Sequence, residues 1–227
     1  MDAGAEPREP LSRARILQVA LDYVDKHGLE ALSMHKLGAE LGVKGMSLYR
    51  HIQGKDGLLD GLVEAMWAEV VLPEETADTW QAEVRAFAQS LREMVHRHPE
   101  AARLLTNRPI MPTQALEYFE AFAGRLWASG ISHTRALQLI RTLISYALGF
   151  AYFELTWADN GDNQRSTEPD DGLRAFQHVS RMVPAGTSEH LLRFALQLCT
   201  GCDMDAQFSD SVNIVLSGME SGDGQRD

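Results

Sequence analysis

The stretch from Leu32 to Lys55, LSMHKLGAELGVKGMSLYRHIQGK, decides the fold that we expect for this chain. Its apolar residues recur at three- and four-residue spacing, which predicts two short helices joined by a turn. Two helices that cross steeply need a small residue where their backbones meet, a turn residue that tolerates positive φ, and an apolar residue after the turn. Gly38, Gly42 and Val43 supply these features in this order. The stretch therefore predicts a helix-turn-helix.

Helical periodicity continues on both sides of this stretch, and no convincing pair of alternating strands accompanies it. Ser12 and Ser33 are predicted to be helix N-caps. Gly28 and Gly42 are predicted to end the two helices that begin there. Further helices are expected at about 44–52, 55–71, 79–97, 99–106, 112–129, 132–158, 188–200 and 204–219, with a shorter one at 173–183. The polar, acidic segment 159–172 is expected to be a loop. The fold class that follows is all-α.

Composition restricts the class of protein. The chain has 227 residues, 44% of them apolar and 23% charged, which is ordinary for a globular protein. Two cysteines cannot form a disulfide framework, and the apolar run 146–153 is too short to cross a bilayer. We therefore expect a cytoplasmic protein with no membrane contact.

Charge is unevenly distributed along the sequence. Residues 12–55 carry seven Lys and Arg against four acids, a net charge of +3, in a chain whose net charge is −11. The remainder therefore carries −14. A basic segment on an acidic body predicts that the N-terminal part binds a polyanion and that the rest has another task.

The order of these motifs resembles the tetracycline-repressor (TetR) family. The helix that ends in KHG, then LSMHKLGAELGV and SLYRHIQGKDGLLDGL, is similar to the DNA-binding domain of that family, and the later TNRP resembles its tetracycline-repressor subgroup. The resemblance implies a three-helix DNA-binding domain at 12–55 and a larger helical effector-binding and dimerisation domain at 56–219. Flexible ends are expected at 1–11 and 220–227.

The resemblance places the helix 44–52 in the major groove of double-stranded DNA. Lys44 and Met46 would meet base edges, with Gly45 on the exposed side of the helix to leave room for the bases. His35 stands where the tetracycline repressor has an arginine on a base, and Lys55 opens a helix whose N–H groups favour a phosphate. The full set of expected DNA contacts is Ser33, His35, Lys36, Lys44, Gly45, Met46, Ser47, Tyr49, Arg50, His51 and Lys55.

Several of these residues also fit ordinary structural roles. We expect Leu48 and Tyr49 to be buried, which would make Tyr49 mainly a core residue with its hydroxyl at the surface. His51 fits a helix-terminal histidine and Lys36 a solvated lysine. The pair His96 and His98, near a helix end, can offset the helix dipole without any metal.

The resemblance also implies that a small molecule binds the C-terminal domain and moves the helix at 55–71. The large side chains that could line such a site recur at helical spacing, and they could instead form only a packed core. Leu104 stands where the tetracycline repressor has a metal-binding histidine, and Phe87 and Phe122 where it has polar ligands. We therefore expect an apolar or aromatic effector, no metal and no cofactor. The candidate effector contacts are Trp67, Phe87, Leu91, Leu104, Asn107, Arg108, Phe122, Tyr146, Phe150 and Phe153.

One helix-turn-helix reads few base pairs, so a homodimer on a palindromic operator is expected. The resemblance places the dimer contact in the helices at about 132–158 and 204–219. The function that follows is a ligand-released transcriptional repressor without enzymatic activity. Two alternatives stay open: an all-helical carrier or enzyme without DNA function, and a regulator that senses redox state through Cys199 and Cys202.

Overall fold

The computed structural model describes residues 10–70, 79–108, 111–161, 186–191, 193 and 203–221. Within these ranges the regular structure is entirely helical, which confirms the all-α fold class. The helices are α1 Arg13–His27, α2 Met34–Glu40, α3 Gly45–Leu48, α4 Gly54–Glu69, α5 Trp80–Arg97, α6 Leu104–Asn107, α7 Thr113–Ala128, α8 His133–Gly161 and α9 Met204–Ser221. Short 3-10 turns lie at Leu29–Ala31 and Ala101–Arg103. The chain forms two compact units, 1–152 and 153–227.

The first two helices begin where their capping residues predict. The Ser12 hydroxyl accepts a hydrogen bond from the Arg15 amide at 3.2 Å, and the Ser33 hydroxyl accepts one from the Lys36 amide at the same distance. Each bond satisfies an N–H group that has no partner within the helix. Gly28, with φ of 80°, ends α1. The caps and the stop are confirmed.

The crossing of α2 and α3 depends on a glycine. A Cβ atom added at Gly38 would lie 2.9 Å from both the amide nitrogen of Gly45 and the carbonyl oxygen of Val43. The Val43 amide donates to the Gly38 carbonyl at 2.8 Å, and Gly42 turns the chain with φ of 66°. The predicted close approach at Gly38 and the left-handed turn at Gly42 are both confirmed.

The third helix is shorter than predicted. It ends at Leu48, and a turn follows in which the amides of His51 and Ile52 both donate to the Leu48 carbonyl, at 2.9 and 3.0 Å. Leu48 and Ile52 are buried, but Tyr49 is 51% exposed, so the expectation that Tyr49 is a core residue is wrong. The inward direction of Leu48 turns the next side chain about 100° away around the helix axis, towards solvent.

The later helices largely follow the predicted ranges. The helices α5, α7, α8 and α9 match 79–97, 112–129, 132–158 and 204–219 within a few residues. Two details differ: α8 continues to Gly161, into the predicted loop, and the segment 99–106 is a 3-10 turn followed by α6. The predictions for 173–183, most of 188–200 and both cysteines lie outside the described residues.

One described helix, at 133–156, is long and apolar enough to cross a membrane by length and composition, with 39% of its most apolar window buried. The core helix of a soluble protein passes the same test. This property is therefore weak evidence for a membrane segment.

Replacing Gly38 with alanine is expected to destabilise the protein by about 1–3 kcal/mol, because the new methyl group would overlap backbone atoms that have no room to move. The free energy of unfolding from chemical denaturation measures this effect. Gly124→Ala is the matched control, since a Cβ there meets no atom within 4 Å and the position is an exposed helix interior. That control is expected to be neutral or stabilising by up to about 1 kcal/mol. Equal effects of the two substitutions would contradict the role given to Gly38.

Candidate DNA-binding and effector-binding sites

The outer side of α3 presents a compact, positively charged surface. Met46 is 77% exposed, the largest exposed fraction of any large apolar side chain among the described residues. Lys44, Arg50 and His51 are also exposed, and Tyr49 projects beside them. We name the exposed side chains of Lys44, Met46, Tyr49, Arg50 and His51 the reading surface.

Two neighbouring elements add polar groups. His35 and Lys36 are exposed at the N-terminal end of α2, while Ser33 is half-buried because its hydroxyl caps the helix. Lys55 is exposed in the first turn of α4, and Ser47 is half-buried on α3. These positions carry the remaining polar groups of the predicted DNA site.

Gly45 has a different environment from the one expected. A Cβ added there would lie 3.1 Å from the carbonyl oxygen of Met34, so it points towards α2 and not towards solvent. Gly45 is half-buried, and its backbone is the surface against which Gly38 packs. Packing against α2 explains the glycine. A contact between its backbone and DNA stays a prediction.

The first turns of α4 are held by an arginine from the far end of α6. Arg108 donates to the Asp56 carboxylate at 2.6 Å and pairs with Asp60 through its other terminal nitrogen. These hydrogen bonds raise the pKa of the guanidinium, which is charged in any case. Arg108 was predicted at the effector site. The structure pairs it with Asp56 and Asp60 in the first turns of α4.

Three predicted effector contacts, Trp67, Phe87 and Phe122, belong to a buried cluster of aromatic rings. Phe87 of α5 meets Phe119 of α7 edge-on, with 5.5 Å between ring centroids, and Trp67 of α4 meets Phe119 at 6.1 Å. Phe122 stacks on Tyr118 at 5.9 Å, and Tyr118 lies 5.9 Å from Phe87. The cluster therefore joins α4, α5 and α7. Leu91 and Leu104 are also buried.

A buried ionic network borders this aromatic cluster. Glu83 on α5 is 3% exposed and accepts hydrogen bonds from Arg125 and from the Tyr118 hydroxyl, the latter at 3.1 Å. The Arg125 Nε donates at 3.1 Å, and a terminal nitrogen of the same guanidinium makes a second, shorter contact. Burial is the main cause that raises the pKa of Tyr118, and the adjacent Glu83 carboxylate raises it further. The hydroxyl therefore stays protonated and can donate a hydrogen bond.

Sequence reasoning missed all three members of this network. One signal was available, because Glu83, Phe87 and Leu91 follow each other at four-residue spacing on the same face of α5. A carboxylate on an otherwise apolar stripe indicates a buried charge that needs a partner. The identity of that partner could not be read from the spacing.

Other predicted effector contacts lie in different surroundings. Tyr146 and Phe150 form a ring pair on α8 at 5.6 Å, and the Arg92 guanidinium lies 5.7 Å from the Phe150 centroid. Asn107 is exposed, and Phe153 belongs to the second unit and is 48% exposed. Among the described residues, no group of three or more His, Cys, Asp and Glu side chains could hold a metal ion.

Comparison with known proteins gives one consistent result. Residues 16–62 match the family described as bacterial regulatory proteins, tetR family, and residues 72–222 match the tetracyclin repressor-like C-terminal domain. An HTH-type transcriptional regulator of Saccharopolyspora erythraea is 31% identical over 165 residues, which cover 73% of this chain and 70% of that protein. The HTH-type transcriptional repressor DrrR1 of Streptomyces coeruleorubidus is 30% identical over 78% of this chain and 64% of its own length.

A solved structure agrees with these sequence relatives. The TetR family protein ActR of Streptomyces coelicolor, in complex with actinorhodin, is 26% identical and superposes with a TM-score of 0.75 over 96% of this chain and 100% of that one. The two family matches together span the reading surface and the helical body. The chain therefore belongs to the TetR family and is a DNA-binding transcriptional regulator.

Proposed function

We propose that the protein is a homodimeric repressor that binds a palindromic operator through its reading surface and leaves it when an apolar or aromatic molecule binds the helical body. The observation that carries this proposal is the reading surface itself. A large apolar side chain, Met46, stands exposed among Lys44, Arg50 and His51, on a helix held by the Gly38 crossing. The methyl groups of thymine provide apolar contacts in the major groove, and an exposed methionine side chain among cationic groups suits a surface that meets both bases and phosphates.

The contacts divide into two kinds. Met46 and Lys44 meet base edges and carry sequence preference, with His35 and Ser47 at the margin of the groove. Tyr49, Arg50, His51 and Lys55 meet phosphates. The 16-residue helix α4 adds the partial positive charge of its N-terminus beside Lys55. Ser33 and Lys36 contact the neighbouring backbone, so that phosphates on both sides fix the register.

A dimer is needed because one α3 covers only a few base pairs. The helices α8 and α9 would form its interface, as predicted. Each exposes a large apolar side chain in the single chain: Leu137 is 49% exposed and Ile214 is 72% exposed. Burial of such side chains between two copies is favourable, by about 1.5–3 kcal/mol for each residue fully covered.

An effector of apolar or aromatic character suits the ring cluster around Phe87 and Phe119. The relative ActR binds actinorhodin, as its complex shows, and its fold agrees with this one. Trp67 connects this cluster to α4, the helix that begins directly after the reading surface. A molecule that displaces Trp67 would therefore move Lys55 and its neighbours. The loss of DNA affinity would be set by how much more tightly the molecule binds the conformation that does not bind DNA than the conformation that does.

Arg108 has a different part in this proposal from the one expected. Its pairing with Asp56 and Asp60 makes it a connection between α6 and α4, so a displaced α6 would also move the first turns of α4. A carrier or an enzyme would have no use for such a connection to an exposed cationic surface. No enzymatic step is proposed, and the cytoplasm is the compartment in which the operator would be met.

Selection of bound duplexes from random DNA tests the proposed function. A palindromic consensus is expected, because a two-fold dimer presents two reading surfaces in opposite directions. Repeating the selection with polycyclic aromatic ligands should reduce recovery of the consensus. Recovery of duplexes without enrichment over the starting pool would contradict the proposal.

Lys55→Ala is expected to weaken binding to every sequence and to reduce the slope of log affinity against log salt concentration by about one unit, because one phosphate contact is lost. Fluorescence anisotropy over a salt series measures both quantities. Met46→Ala is the matched variant, and it should change base preference while the salt slope stays constant. An unchanged slope in Lys55→Ala would contradict the phosphate role.

Ile214→Glu is expected to shift the protein from dimer to monomer in sedimentation velocity at micromolar concentration, because it buries a charge in an apolar contact. Ser209→Glu, an exposed position on another side of α9, should leave the dimer intact. A wild-type protein that sediments as a monomer would contradict the proposed dimer.

A further inference from the structure

His98 lies at the end of α5, where it connects three helices. Its ring is buried, with the residue only 7% exposed. The Nδ1 atom is 2.7 Å from a carboxylate oxygen of Asp25 on α1, and the Nε2 atom is 2.9 Å from a carboxylate oxygen of Glu69 at the end of α4. Arg97 contacts the same Glu69 oxygen at 3.0 Å. We name His98, Asp25 and Glu69 the histidine clamp.

The two contacts of the His98 ring restrict its protonation state when both carboxylates are ionised. A neutral imidazole has one N–H donor, and its second nitrogen presents a lone pair. If both carboxylates are ionised, a neutral ring would direct that lone pair at one of them. Only the doubly protonated ring donates to both. The clamp together with Arg97 is then neutral, because the charges of His98 and Arg97 balance those of Asp25 and Glu69.

The surroundings of Asp25 favour a positive partner. Burial raises the pKa of Asp25, and the nearby acids Asp22 and Glu69 raise it further, while the hydrogen bond and charge of His98 oppose this shift. Asp25 is therefore a partly buried acid that depends on His98 for stabilisation of its ionised form. Among the described residues, the charged groups around His98 are Asp22 and Asp25 from α1, Glu69 from α4 and Arg97 from α5.

The clamp occupies the opposite end of α4 from Lys55. The 16 residues of α4 extend about 24 Å. Arg108 holds the first turns through Asp56 and Asp60, and the clamp holds the last turn through Glu69 while also holding α1 through Asp25. The DNA-binding helices are thus connected to the helical body at both ends of α4, and of these two connections only the clamp contains a histidine.

We propose that His98 is a positioning residue whose charged imidazole fixes α1 and α4 in the arrangement that binds DNA, so that loss of its proton loosens the arrangement and lowers operator affinity. This inference rests on the proposed DNA-binding function. It adds a pH dependence to that function. The sign follows from the charges: proton loss leaves the clamp and Arg97 with a net charge of −1 and with a lone pair facing a carboxylate, so affinity falls as pH rises.

The test compares four proteins: wild type, His98→Gln, Glu69→Gln and His96→Gln. Affinity for a duplex recovered by the selection is measured from about pH 6 to about pH 9, a range in which histidine titrates. The wild type is expected to lose roughly ten-fold in affinity over this range, the equivalent of about 1.4 kcal/mol. His96→Gln, which removes an exposed histidine two residues away, should follow the wild type.

His98→Gln should bind weakly at all pH values, without the component of the pH dependence that the clamp supplies. Glu69→Gln should keep its affinity at high pH, because the new amide can donate to Nε2 of a neutral ring while Nδ1–H still donates to Asp25. His35 and His51, which belong to the proposed DNA site, are unchanged in all four proteins. The differences between the four pH profiles therefore isolate His98.

Two measurements without DNA keep the inference separate from the proposed function. Thermal unfolding of the four proteins over the same pH range should show the same order, and ¹⁵N spectra of the histidine ring should show protons on both nitrogens of His98 while the clamp is intact. A His98→Gln profile identical to that of the wild type, or a neutral His98 ring between two ionised carboxylates, would overturn the inference. Absence of DNA binding in all four proteins would instead contradict the proposed function, and these two measurements would still decide on the clamp.

Discussion

The backbone contact between Gly38 and Gly45 is the constraint on which the DNA-binding part of this molecule depends. A Cβ at Gly38 would overlap the backbone around Gly45, and a Cβ at Gly45 would make a tight contact of 3.1 Å with the carbonyl oxygen of Met34. This contact sets the distance between α2 and α3 and so fixes the direction in which α3 presents Met46. Because α3 has only four residues, it has little stability of its own and relies on this packing.

The helix α4 carries the consequence of that arrangement into the body of the protein. It begins two residues after the buried Ile52, and three of its contacts with later elements are of different kinds. Arg108 binds its first turns by charge, Trp67 joins it to the aromatic cluster, and Glu69 ends it in the histidine clamp. An effector that changed any one of these contacts would act on the same rigid helix. This concentration of contacts on one helix is how a small molecule at a distance could govern the reading surface.

Local features of the sequence predicted the fold well. The caps at Ser12 and Ser33, the stop at Gly28 and the turn at Gly42 were all correct, since each depends only on neighbouring residues. The exposure of Met46 could be anticipated for the same reason, although its contact with DNA stays a prediction. The prediction that Leu48 is buried was also correct. The helix α3 ends at Leu48, however, and the spacing of apolar residues does not show where a helix ends.

Features that depend on distant residues could not be predicted. Arg108 looked like an effector contact because its position matched a motif, yet its partners, Asp56 and Asp60, are about fifty residues earlier in the chain. The partners of Glu83 and His98 are similarly remote, so a single sequence gives no sign of the pairs that they form. Burial of an acid or a histidine can be suspected from its place on an apolar face, but its partner depends on how the helices pack.

Hydrogen–deuterium exchange of the protein, with and without the selected operator duplex, tests whether the reading surface contacts DNA. We expect DNA to slow exchange in the peptides covering residues 33–36 and 44–55, and α7 to keep the exchange rate of the free protein. Unchanged exchange across 44–55, or protection centred on α7, would contradict the assignment of the reading surface.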